Sequence, residues 1–107
     1  MYEKIVLPSG LKIFLVPFKE VQAVSILVFI GAGSRYETKK LNGLSHFLEH
    51  MFFKGTKKRP TPASISETID SIGGEINAGT AKTYTVFMTK IAATHINKGL
   101  DLLADIL

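Results

Sequence analysis

The sequence predicts an α+β domain: a mostly antiparallel sheet with helices on one face, in the order β-β-β-α-α-β-β-α. Three observations predict it. Runs rich in β-branched and aromatic residues stand in two groups, at 3–30 and 75–91. Segments with apolar residues at helical spacing lie between these groups and after the second. A Pro-Ser-Gly turn joins the first two runs and a Thr-Pro start signal opens one of the helices.

"EKIVL" and "LKIFLV" flank Pro8-Ser9-Gly10 and read as a hairpin. "AVSILVFI" is a continuous apolar run bounded by Gly31 and Gly33, the pattern of a strand covered on both faces. "GAGSRYETKKLNG" is a glycine-containing connection in which Arg35 and Glu37 are expected to pair and hold the next helix. That helix is predicted over about 42–54, with Gly55 as its C′ residue. Leu44, Phe47, Leu48, Met51 and Phe52 share one arc at ~100° per residue and are expected to pack in the core. His46, Glu49 and His50 share the opposite, polar arc.

A second helix begins with Thr61 as N-cap and Pro62 in its first turn, buries Ile65, Ile69 and Ile72, and ends at Gly73-Gly74. "EINAGTA" and "TYTVFMTKI" are strands. Thr94 is expected to cap the last helix, where Ile96, Leu100, Leu103 and Leu107 share a face. That helix stops without glycine, proline or a basic last turn. The expectation is that residues 1–107 are the N-terminal portion of a domain truncated at its C-terminal end.

Composition narrows the function. With 46% hydrophobic and 21% charged residues, the 107-residue chain is globular, with no internal repeat or linker. The net charge of +4 owes much to Lys57, Lys58 and Arg59, read as a solvated loop because no nucleic-acid motif accompanies them. The absence of cysteine excludes disulfides, thiolate metal ligands and thiol nucleophiles. The start lacks a signal-peptide pattern and the most apolar stretch is too short to span a bilayer, so a cytoplasmic location is expected.

The segment "LSHFLEHMFFKGT" carries the chemistry. Residues four apart on a helix lie one turn above each other, so His46 and His50 can direct both imidazoles at one ion. Without thiolates, Zn2+ suits such a pair. Glu49 lies beside them, placed to take a proton from a water held there. The residues alone also allow a bland reading, in which the polar arc simply faces solvent.

His-x-x-Glu-His is the inverted zinc motif of the inverzincin peptidases. The chain resembles their pitrilysin-type (M16) family, in particular its bacterial processing-peptidase-like members. The likeness runs from "LPSGLKIFLVP" through "GAGSRYE" and "NGLSHFLEHMFFKGT" to "IDSIGGEINAGTAKTYTVF". The resemblance implies a LuxS/pitrilysin-like metalloenzyme domain that hydrolyses peptides or unfolded polypeptide segments. It implies His46 and His50 as zinc ligands and Glu49 as general base. A third ligand, a glutamate, is implied roughly 75 residues beyond the second histidine and so beyond Leu107, because a catalytic zinc keeps three protein ligands. Glu67 and Glu75 are too close to be that residue. Two ligands alone imply weak metal binding and an inactive fragment.

The resemblance also makes Asn77 and Ala78 substrate-binding residues on a strand edge that receives the peptide as an added strand. Gly79, and Thr83 where an acidic residue is usual, depart from the family's pattern there. A second homologous domain or subunit is implied as partner, with no nucleic acid and no membrane. The alternative is a non-catalytic peptide-binding or structural subunit of the same fold.

Overall fold

A computed structural model describes every residue, Met1–Leu107. The elements are β1 (Glu3–Val6), β2 (Lys12–Leu15), β3 (Ala23–Ile30), α1 (Leu44–Met51), α2 (Pro62–Asp70), β4 (Glu75–Thr80), β5 (Thr85–Ala92) and α3 (Ile96–Ile106). Their order is the predicted one. All strand pairs are antiparallel.

β1 and β2 form a two-stranded sheet of their own, turned by Gly10 at φ 89°. β3, β5 and β4 form the second sheet in that order, so β5 is central and β4 lies at an edge. Along β5, Thr85, Phe87, Thr89 and Ile91 are buried on the face that carries the helices. Ile65 and Ile69 of α2 and Leu102, Leu103 and Ile106 of α3 complete the core with Phe87 and Ile91. No helix is long and apolar enough to cross a membrane.

Local chemistry explains the elements. Thr61 Oγ1 accepts from the Ser64 amide and Ser64 Oγ accepts from the Thr61 amide, each at 3.1 Å, so α2 starts on a reciprocal cap with Pro62 behind it. Gly73 turns the chain out of α2 at φ 66°.

Several expectations are corrected. β3 is covered on one face only: Val24, Ile26, Val28 and Ile30 pack on the core, while Leu27 and Phe29 stand exposed on a face no helix covers. α1 is shorter than expected and turned about its axis. Leu44, Phe47, Leu48 and Met51 are exposed, Phe47 by 59%, and the polar arc lies toward β4 instead. Phe52 and Phe53, just past the helix, reach the core, with ring centroids 5.2 and 6.0 Å from Phe87. Gly55 is not a C′ residue. It lies beyond the end of α1, where a Cβ would meet the Pro60 carbonyl oxygen at 2.5 Å.

Thr94 does not cap α3; His95 holds that position without a side-chain cap, and Thr94 belongs to the preceding 3-10 turn. α3 buries Gly99, Leu102, Leu103 and Ile106, leaving Ile96, Leu100 and Leu107 exposed. The basic block is a loop with Lys57 and Lys58 exposed, as expected, but Arg59 is largely covered and the loop is anchored. Arg59 bonds Asp105 at 2.7 Å and Asp101 at 2.9 Å, and Lys58 bonds Asp101 at 2.6 Å, which fastens the segment before α2 to α3. Hydrogen bonding to Asp101 above all holds the Arg59 guanidinium pKa above its ordinary value.

Candidate metal centre

The connection from β3 to α1 sets the site. A Cβ on Gly33 would stand 2.5 Å from the Ala81 carbonyl oxygen, and only glycine admits that approach. The chain then bonds to the β4–β5 turn through Ser34 N to Ala81 O (3.3 Å) and Arg35 N to Lys82 O (2.8 Å). This brings the start of α1 beside the end of β4. Gly43, at φ 87°, precedes the helix without a side chain to cap it. Glu37 fills that role: its carboxylate accepts from Gly43 N at 3.0 Å and Ser45 N at 2.6 Å. No ion pair joins Glu37 to Arg35, correcting the expected pairing, because both carboxylate oxygens are engaged at the helix N-terminus. The Ser45 amide, and then that of Gly43, hold the Glu37 carboxyl below the usual carboxylate range.

On the polar arc of α1, His46 Nε2 and His50 Nε2 lie 3.0 Å apart, with the rings edge to face. One ligand atom from each of His46, Glu49 and His50 lies within 4.8 Å of the others. Two imidazole nitrogens bound at ~2.0–2.1 Å to one tetrahedral zinc would be about 3.3 Å apart, so the donor set fits a shared ion. The histidines are exposed and Glu49 is half-buried. Glu49 Oε2 accepts a hydrogen bond from Thr80 Oγ1 at the end of β4. Glu67 and Glu75 stand outside the group.

Asn77 and Ala78 occupy the middle of β4. The Asn77 side chain is exposed and its Oδ1 accepts from the Ala78 amide at 2.9 Å. With Ala78, Gly79, Leu27, Val86 and Met88 it lines a shallow hollow, and no hydrogen bond links it to the histidines or Glu49. Main-chain bonding in the sheet follows a strict alternation. Ala81 N donates to Tyr84 O, and Ala93 N to Gln22 O, each at 2.8 Å. With the observed registers, even-numbered residues of β5 bond to β4 and odd-numbered ones to β3. Ile76, Ala78 and Thr80 therefore turn their main-chain groups to the open edge, and the Ala78 amide takes its own neighbour's side chain.

Two residues at the site were not identified from sequence in the positions they hold. Thr80 has a readable signal: counting in twos from Ala78 places it on the face turned toward α1. The capping position of Glu37 has none, because its distance from Gly43 depends on the path of the loop.

The chain matches the family model for insulinase (peptidase family M16) over residues 14–107. It is 47% identical over 105 residues to an uncharacterized zinc protease of Bacillus subtilis, covering 98% of this chain and 25% of that protein. It is 45% identical over 86 residues to the mitochondrial-processing peptidase subunit beta of Dictyostelium discoideum, covering 80% of this chain and 18% of the relative. The crystal structure of a protease from Helicobacter pylori superposes with a TM-score of 0.93 at 29% identity, over 99% of this chain and 26% of that one. The chain thus spans 18–26% of the length of these relatives. With its His-x-x-Glu-His group on α1 and its antiparallel α+β fold, the chain belongs to the insulinase, or pitrilysin-type M16, peptidase family.

Proposed function

We propose that the whole protein is a zinc-dependent endopeptidase acting on peptides or unfolded polypeptide segments. One observation carries the reading: two imidazole nitrogens and a carboxylate converge beside a strand edge with open main-chain groups. His46 and His50 would hold the ion, which when bound polarises the scissile carbonyl and makes the attacking water more acidic. Glu49 takes a proton from that water and returns it to the leaving amine, so no net proton is gained or lost over the cycle.

The peptide docks along β4. Its main chain pairs with Ile76, Ala78 and Thr80, which requires Asn77 to release the Ala78 amide. The freed Asn77 amide then contacts a substrate carbonyl. A third ligand comes from sequence outside this segment, because the three-residue group already counts Glu49, the base. A second homologous domain or subunit covers part of the apolar surface, which includes Leu27, Phe29, Leu44 and Phe47. Neither a nucleic acid nor a membrane is part of the reading. A cytoplasmic location, taken from composition, is.

Glu49→Gln in the whole protein tests the proposal. Zinc content stays unchanged while kcat falls by about 10²–10⁴, the range for loss of a general base. Hydrolysis at the original rate would remove Glu49 from that role.

A further inference from the structure

The Glu49 carboxylate is held from β4 as well as from its own helix. Thr80 Oγ1 donates to Oε2, leaving Oε1 with no protein partner. The donor stands on a stiff support: threonine is β-branched, and β4 is hydrogen-bonded along its length to the central strand β5. The helix bearing Glu49 is less constrained, since His46, Phe47, Leu48 and His50 are all exposed. Thr80 also turns its own N–H and C=O to the open edge of the strand. One residue therefore meets a docked peptide through its main chain and the carboxylate through its side chain.

We propose that Thr80 is a positioning residue, which fixes the Glu49 carboxylate in register with a peptide paired to β4. This rests on the endopeptidase reading given above. The hydroxyl stays neutral and donates throughout. It transfers no proton, and its effect is to keep Oε1 turned to the attacking water. Substrate binding and base orientation are thereby set by the same strand.

The test compares Thr80→Val, which keeps the shape and removes the donor, with Thr80→Ser, which keeps the donor. In the whole zinc-loaded protein, Thr80→Val lowers kcat by about 10–100-fold, the usual cost of losing a supporting partner. KM stays within about twofold, because peptide pairing uses the main chain. Thr80→Ser recovers most of the rate. A second readout needs no metal: with ¹³C at the glutamate carboxyl carbons, the resonance that Glu49→Gln removes shifts in Thr80→Val and returns in Thr80→Ser. The proposal is overturned if Thr80→Ser is as slow as Thr80→Val, if Thr80→Val keeps the full rate, or if the resonance does not move. A wild-type protein that cleaves no peptide overturns the endopeptidase reading instead, a result distinct from all three.

Discussion

Glu37 illustrates how a single side chain changes its role once the chain is folded. Its sequence neighbour Arg35 suggested a surface ion pair, an interaction of little worth. In the fold it bonds two main-chain amides that α1 leaves unsatisfied, and negative charge is favoured at that end of a helix. Its pKa is lowered by folding, so its contribution is complete above the ordinary carboxylate range and is lost as pH falls through the lowered value. Asp101 and Asp105 follow the same sign, held low chiefly by Lys58 and by Arg59 respectively. Glu37→Gln should speed hydrogen exchange at Gly43 and Ser45 several-fold at pH 7. It should also flatten the acid dependence of that exchange below about pH 4.3. Unchanged exchange at both amides would show that the carboxylate does not hold the helix.

Among the elements, α2 was legible and α1 only half so. Thr61, Pro62 and the isoleucine stripe state where α2 begins and which side it buries. In α1 the spacing separates two arcs correctly, yet the inward one is polar. Periodicity defines two sides of a helix, while the neighbour decides which side is covered. Here the neighbour is the edge strand β4, whose Thr80 offers Glu49 a hydrogen-bond donor. Urea unfolding separates the two readings. Phe47→Ser should change the stability of this chain by no more than about 0.5 kcal/mol, as for an exposed site. Phe52→Ala, which removes a ring packed on Phe87, should cost about 3–5 kcal/mol if its half-buried ring behaves as a core residue. Equal costs would restore the original orientation.

At the scale of the molecule, the three-stranded sheet has one face filled by α2 and α3 and the other bare. Leu27, Phe29 and Tyr84 stand on the bare face, with the rings of Phe29 and Tyr84 5.6 Å apart. The run "AVSILVFI" carries large apolar residues on both sides, yet only the side of Val24, Ile26, Val28 and Ile30 is covered within these 107 residues. On the proposed reading the group on α1 supplies two ligands, His46 and His50, with Glu49 as the base. Competition with a chelator should show zinc binding to the 107-residue chain at least about tenfold weaker than to the whole protein, with no measurable peptide hydrolysis. Equal affinity would mean that the third donor already lies in this segment.

The sequence by itself determined the order of the elements, the α2 cap, the hairpin turn and the spacing that gathers His46, Glu49 and His50 on one helical arc. These depend on local geometry, which a few residues specify. Tertiary structure decided which arc of α1 meets the sheet, that Glu37 closes the helix start, and that Thr80 reaches Glu49 across 31 positions of chain. Those outcomes depend on the close approach at Gly33 and on the antiparallel register of β4 against β5. Both bring distant segments together, and no local pattern records a distance between two segments that meet only after folding.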